Sequence, residues 1–261
     1  METPLSPAAG STLEIGILTM GKPTLSMALA SLLLQEPRNL RIHIVDTAER
    51  PVIHRDDFSS AMRLAFDRGI PCTYEHSRER ERAFSRGRRA LLESLTGPNI
   101  CFMDDDVVLP GDALRHVTSF IAAHPDYGYL APAVKNAPTL PGAVRGRIQF
   151  APGSVLRQDA LVRDILLDYY SNTVDVLDKQ RTNDKVWEIG FLSELFPLLG
   201  RPGYVQADTT VYHLDYHERP NWDLLREDLL RNSRRHAEDL VRRYAGAVQP
   251  LTTVLPAPSH P

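Results

Sequence analysis

Four apolar runs of strand length, separated by stretches with helical spacing, limit what this chain can fold into. The first is Leu13–Thr19 (LEIGILT), broken by Gly21, Lys22 and Pro23. Proline is tolerated in the first turn of a helix. Leu25, Leu29, Leu32 and Leu33 then fall on one helical face. Residues 41–45 (RIHIV) read as a second strand. Asp57 can cap a helix in which Phe58, Met62, Ala65 and Phe66 share a side, and Gly69 ends it. Residues 70–74 form a third strand candidate. Residues 78–95 read as largely helical and very basic, stopped by Gly97 and Pro98. Residues 99–103 (NICFM) are the fourth strand and run directly into Asp104, Asp105 and Asp106. This alternation predicts an α/β fold, a Rossmann-like and mostly parallel sheet flanked by helices. Ligands of such sheets bind beyond the carboxyl ends of the strands. Residues 19–22, 46–47, 76–77 and 104–106 are therefore the positions to watch.

After residue 123 the pattern becomes mixed. Residues 127–134 are strand-like, 135–147 form a Pro/Gly loop, and 148–150 and 155–156 are short strand candidates. Residues 159–168 and 184–199 look helical, and 205–207 and 210–213 look like strands again. Residues 222–244 form a long amphipathic helix, with Trp222, Leu225, Leu229, Leu240 and Tyr244 on or near one face. Such a helix usually packs on the core; it can also cover a site or form a homodimer. Residues 1–12 and 247–261 are rich in Pro, Ser, Thr and Ala and read as flexible tails.

Composition narrows the function classes. With 261 residues, 43% of them hydrophobic, the chain can bury a core without disulfides. Cys72 and Cys101 both sit in strand-like runs, so buried free thiols are expected. A net charge of -3 argues against a general nucleic-acid binder. The start lacks a basic segment followed by an apolar one, and no apolar run reaches the ~20 residues of a membrane helix. The expectation is a soluble cytoplasmic protein with no transmembrane segment.

Three adjacent aspartates after a buried strand demand a chemical reason. Each carboxylate raises the pKa of the others unless a cation sits among them. Hard divalent ions take oxygen ligands, often carboxylates together with substrate phosphates. In an extended segment Asp104 and Asp106 point to one side and Asp105 to the other. One side can then hold a metal while the other hydrogen-bonds a ribose or the backbone. A solvated turn capping the helix at 112–123 is the plainer alternative, but Asp112 is already placed for that cap.

The run ICFMDDDVVLPGDAL resembles the DxD segment of family 2 glycosyltransferases, which have the GT-A fold. The resemblance continues in order along residues 13–213. EIGILTMGKPTLSMALASLLLQ is similar to that family's first strand, loop and helix, with Thr19 at the strand tip. RIHIVDTAERP resembles its second strand, which ends in an aspartate that contacts the nucleotide base, here Asp46. SRGRRALLESLTGPNICFMDDD resembles the helix before the DxD, where an arginine stands near Arg88. SVLRQDAL is similar to the segment after the acceptor-side loop. PGYVQADTTVYHLD resembles the closing strands, where a histidine completes the metal site, here His213.

The resemblance implies a nucleoside-diphosphate sugar donor, an acceptor hydroxyl, and Mn²⁺ or Mg²⁺ as cofactor. It places Thr19, Asp46, Arg88, Asp104 and Asp105 on the donor, and Asp106, Asp104 and His213 on the metal. Residues 13–106 become the nucleotide-sugar-binding half and 107–220 the acceptor-side and catalytic half, followed by a C-terminal helix over 221–246. The family's inverting reaction uses a carboxylate general base, commonly in a Glu-Asp pair that this chain lacks in TNDKVWEIGFLSELF. Glu188, beside Trp187, suits a carboxylate at a pocket edge with a raised pKa. Asp184 is the competing base and equally a helix N-cap.

Other readings start from the same residues. Asp104 to Val108 also fits the DxDx(T/V) pattern of Mg²⁺-dependent aspartyl-phosphate phosphohydrolases, although that motif normally follows a first strand rather than a fourth. A sugar-phosphate nucleotidyltransferase would carry a glycine-rich, basic first loop, of which TMGKP has one Gly and one Lys. A non-catalytic binding module on the same fold is the third alternative. Among Arg78, Arg80, Arg82, Arg86, Arg88 and Arg89, solvated pairs such as Glu79–Arg82 and Glu81–Arg78 are expected, with one or two of Arg86, Arg88 and Arg89 turned towards a diphosphate. His213 and His217 with Asp215 are too few ligands for a zinc site.

Overall fold

β1 (Leu13–Thr19) is buried along its whole length, as a central strand covered on both faces must be. The computed structural model describes residues 12–36, 39–79, 81–135, 153–178, 185–214 and 222–246. β1 pairs in parallel with β2 (Leu40–Asp46) and β4 (Asn99–Asp104), and β2 pairs in parallel with β3 (Cys72–His76). α1 (Leu25–Leu33), α2 (Asp56–Asp67) and α3 (Ala83–Ser94) connect these strands. The second half adds β5 (Val107–Val108), α4 (Ala113–Ala123), β6 (Tyr129–Lys135), β7 (Val155–Arg157), α5 (Ala160–Asn172), α6 (Glu188–Leu198), β8 (Gly203–His213) and α7 (Trp222–Ala245). The sheet runs β3-β2-β1-β4-β7-β6-β8-β5. β7 is antiparallel to both its neighbours, and β5 to β8. This is the α/β architecture the alternation predicts, with the mixed half where periodicity weakened.

Period-two alternation splits the core into two layers. Leu13, Ile15, Ile17, Ile42, Ile44, Cys101 and Met103 face α1, α2 and α4. Leu18, Val45, Ile100 and Phe102 face the opposite way, onto α3, α5, α6 and α7. α3 lies unusually close to β1. A Cβ at Gly87 would stand 2.3 Å from a methyl of Leu18, and one at Gly16 would stand 3.0 Å from Leu95. The two glycines let α3 settle on the strand, which carries Arg88 to the tip of β4.

Several local expectations need correction. Phe66 is 83% exposed, on the outer side of α2, whereas Phe58 and Ala65 are buried. α3 begins at Ala83 rather than at 78, because Arg82 takes a left-handed conformation with φ 52°. Its guanidinium donates to the carbonyls of Tyr170, Ser171 and Thr173, closing the carboxyl end of α5. The expected Glu79–Arg82 pair is replaced: Glu79 pairs with Arg86, while Arg82 is turned to the end of α5. Asp112 precedes α4 without capping it, its carboxylate turned to Arg115 and His116. Asp159 does cap α5, accepting from the Val162 amide at 3.0 Å. α6 starts at Glu188, four residues later than its expected start at 184. The two strand candidates at 205–207 and 210–213 are one strand, β8, whose register against β6 shifts after Pro132.

The remaining expectations divide by position. Both thiols are free; Cys101 is buried, and Cys72 is partly buried against Met62. In α7, Leu229 and Leu240 are buried, whereas Tyr244 lies at the surface and donates to Asp168 at 2.9 Å. The strand candidate at 148–150, the loop at 136–147, His217, and the side chains of Trp222 and Leu225 lie outside the described residues. Among the described residues, no helix is long and apolar enough to cross a membrane.

Candidate metal and donor site

β4 ends at Asp104, and Asp105 and Asp106 make the turn into β5. β5 pairs with β8 so that Val107 stands opposite His213, and the Leu214 amide donates to the Asp106 carbonyl at 2.8 Å. Strand pairing thus delivers a distant histidine to the acidic turn. Asp104, Asp106 and His213 each present a ligand atom, and the three atoms lie within 4.8 Å of one another. Two carboxylates and an imidazole form a donor set that suits Mn²⁺, and Mg²⁺ when phosphate oxygens complete it. Although the segment is a turn rather than extended, Asp104 and Asp106 share one side and Asp105 takes the other.

Asp106 is only 1% exposed. Its Oδ2 accepts from Lys22 Nζ at 2.5 Å, and its Oδ1 lies 3.2 Å from His213 Nε2. Burial alone would raise its pKa, but hydrogen bonds from His213 and Lys22 outweigh that and hold it at about 2. Burial acts in the opposite sense on His213, yet the bond to Asp106 raises its pKa overall. Asp105 accepts from Thr19 Oγ1 at 2.6 Å, and burial pushes its carboxyl up to about 6. Thr19 also receives the Gly21 amide at 3.0 Å. Gly21 has φ 89°, and a Cβ there would lie 2.8 Å from Ala48. Glycine is therefore the residue that fits this close turn.

Asp46 is fully enclosed. Its Oδ1 accepts from the Ala48 amide at 2.7 Å, and its Oδ2 accepts from the Val52 amide at 2.8 Å and Tyr74 Oη at 2.7 Å. In this conformation the side chain organises the loop after β2 and presents no open face. Thr19, likewise expected on the donor, is wholly buried and orients Asp105.

Arg88 links the acidic turn to the interior. Its Nη2 donates to Asp104 Oδ1 at 2.9 Å, and its Nε lies 3.1 Å from Glu188 Oε1. The guanidinium carbon sits 5.3 Å from the Phe84 ring centre and 5.1 Å from that of Phe102, within cation–π range. Of the three arginines singled out, Arg88 alone turns inward; Arg86 pairs with Glu79 and Arg89 with Glu93. Glu188 is 6% exposed, which corrects its expected place at a pocket edge. The first turn of α6 faces the core, and Glu188 Oε1 accepts from Tyr170 Oη at 2.6 Å. Burial raises its pKa, against the pull of Arg88 and Tyr170. Asp184 lies outside the described residues.

Sequence reasoning missed the rest of this network. Asp175 accepts from the amides of Leu177 and Glu188 and from Tyr169 Oη. Asp178 accepts from the Ser85 amide and hydroxyl. No spacing rule flags Tyr170, Asp175 or Asp178, since each has a decisive partner in another segment: Glu188 for Tyr170 and Asp175, and Ser85 for Asp178. Lys22 fell within the strand-tip window but was given no role. Burial, then Glu188 nearby, pushes Asp175 up to about 8 from its ordinary 3.8. The folded chain therefore keeps a proton that the unfolded chain releases. Stability from this group is full below its ordinary value and is lost as pH rises towards 8. The difference in urea midpoint between pH 5 and pH 8 should shrink in Asp175→Asn relative to wild type; an unchanged difference would mean Asp175 is ionised throughout.

A profile of the family described as "Glycosyl transferase family 2" matches residues 18–179. No curated protein matches the chain by sequence. Among solved structures, S. aureus TarS superposes with a TM-score of 0.59 at 14% identity, over 90% of this chain and 43% of that one. The mannosyltransferase PcManGT from Pyrobaculum calidifontis, solved with GDP-Man and Mn²⁺, superposes with a TM-score of 0.59 at 16% identity, over 92% of this chain and 76% of that one. A TarS fragment in complex with UDP-GlcNAc gives 0.58 at 13% identity, over 90% and 71%. The chain thus spans less than half the length of full TarS. At these identities the likeness establishes the fold, and the profile establishes the family. The phosphohydrolase and nucleotidyltransferase readings are set aside by that match. With the site assembled at the carboxyl ends of a curled, mostly parallel sheet, the chain belongs to glycosyl transferase family 2 and has the GT-A fold of its glycosyltransferases.

Proposed function

We propose that this chain transfers a glycosyl group from a nucleoside-diphosphate sugar to an acceptor hydroxyl, with Mn²⁺ or Mg²⁺ held by Asp104, Asp106 and His213. The observation that carries the reading is the convergence of those three ligand atoms within 4.8 Å at the strand tips. Two structures of the same fold were solved with nucleotide sugars, one of them with Mn²⁺, which supports the choice of donor class and ion. When bound, the ion supplies Lewis-acid stabilisation of the leaving diphosphate.

The chain's own residues do the rest. Thr19 fixes Asp105, and Arg88 fixes Asp104, so the acidic turn is oriented before ligand arrives. Lys22 is a partly exposed cation at the site and can meet a phosphate oxygen. Direct displacement inverts the anomeric centre and needs a carboxylate to take the acceptor proton. Glu188 is committed to Arg88 and Tyr170, so of the two expected bases that role falls to Asp184.

The test is a thermal-shift screen of nucleoside diphosphates and nucleotide sugars with and without Mn²⁺, followed by assay of diphosphate release with the best donor. A true donor raises Tm in proportion to concentration over affinity. Wild type should release nucleoside diphosphate, and Asp184→Asn should keep binding and lose transfer. Absence of any Mn²⁺-dependent nucleotide shift would sink the reading.

A further inference from the structure

We propose that Lys22 is a tethered counter-ion that occupies the charge position of the metal when the site is empty and moves to the donor's diphosphate when the metal enters. The inference rests on the proposed function and adds a role for a residue that neither the fold nor the motif assigns.

Among the described residues, Arg88 and Lys22 sit on the aspartates of the triad. Arg88 holds Asp104, and Lys22 holds Asp106 at 2.5 Å while lying 4.0 Å from Asp105 Oδ1. A divalent ion placed among Asp104, Asp106 and His213 would share Asp106 with the Lys22 ammonium. Like charges that close repel strongly in a partly buried setting. One of the cations must yield, and their surroundings decide which. Arg88 is 4% exposed, held by Glu188 behind and flanked by Phe84 and Phe102. The Lys22 side chain is 37% exposed and stands between Gly21 and Pro23 at the tip of β1. Its flexible four-carbon stem carries a compact charge that can swing without disturbing the core. The anion arriving with the ion is the diphosphate, and it offers the displaced ammonium a new partner.

Two consequences follow from linkage. Metal alone should bind weakly, because it must displace the Lys22 ammonium from Asp106. Metal and diphosphate together should bind cooperatively, because the diphosphate attracts both the ion and the ammonium that the ion displaces from Asp106.

The experiment is a Mn²⁺ titration followed by electron paramagnetic resonance, without nucleotide and with saturating UDP or GDP. It uses wild type, Lys22→Met, Lys22→Arg and Asp106→Asn, each checked for folding by circular dichroism. Lys22→Met should bind Mn²⁺ alone about tenfold or more tighter than wild type, the scale of a removed charge contact. Its further tightening by UDP or GDP should largely disappear, while Lys22→Arg keeps the wild-type pattern. If Lys22→Met binds Mn²⁺ no tighter while Asp106→Asn loses it, the counter-ion proposal is overturned and the metal site stands. If Asp106→Asn binds Mn²⁺ like wild type, or neither nucleotide tightens Mn²⁺ in wild type, the proposed function falls and this inference with it.

Discussion

Asp106→Ala is expected to fold and to lose Mn²⁺ binding by about 100-fold or more, since even removing a residue that merely orients a ligand costs 10–100-fold. The fold survives because the structural role of this position is carried by its backbone. The Leu214 amide bonds the Asp106 carbonyl, and Val107 and Val108 keep their pairing with β8. The carboxylate, by contrast, contacts only Lys22 and His213 among the described residues, and both belong to the site. Calorimetric titration with Mn²⁺, in the presence and absence of UDP or GDP, checks the loss. Near-native Mn²⁺ affinity in a folded variant would remove Asp106 from the metal site and with it the reading of the triad.

Arg88→Met should be the most destabilising single change at the site, by about 3–5 kcal/mol, the usual cost of removing one partner from a buried ion pair. Arg88 has no solvent to replace its contacts: its side chain is 4% exposed, and that of Glu188 is 8% exposed. Methionine fills the space between Phe84 and Phe102 but leaves the Glu188 carboxylate, among the described residues, with only the Tyr170 hydroxyl. Glu188 then takes up a proton or drags α6 towards water. Asp104 loses its anchor as well, so Mn²⁺ affinity should fall even where the protein remains folded. Urea denaturation measures the first effect and Mn²⁺ titration the second. A loss below about 1 kcal/mol would mean that the aromatic contacts, rather than the charges, hold this region, since a cation–π contact is worth about that much. Arg88→Lys should recover little, because an ammonium cannot span both Asp104 and Glu188.

Legibility differed between the halves of the chain for a physical reason. In residues 13–104 every strand pairs in parallel with another of the same half, and alternation of side chains encodes both faces of the sheet. The apolar runs therefore located β1, β2 and β4 to within a residue or two, and the acidic turn with them. β3 was shifted because its burial is only partial along its length, which blurs the pattern. α3 was overextended because nothing local marks Arg82 as left-handed; its reward is three carbonyls of α5. Glu188 read as the base and Asp184 as its competitor because helix spacing cannot say which way the first turn of α6 faces.

The sequence alone determined the parallel α/β layering and the placing of three carboxylates at a strand tip. Both follow from local periodicity and from the repulsion between neighbouring charges. Only the tertiary structure decided what those carboxylates meet. The antiparallel pairing of β5 with β8 brings His213 to Asp106, the close seating of α3 on Gly16 and Gly87 brings Arg88 to Asp104, and the packing of α6 on α7 turns Glu188 inward. These contacts join segments far apart in the chain. They are selected by how whole elements pack, which no window of neighbouring residues contains.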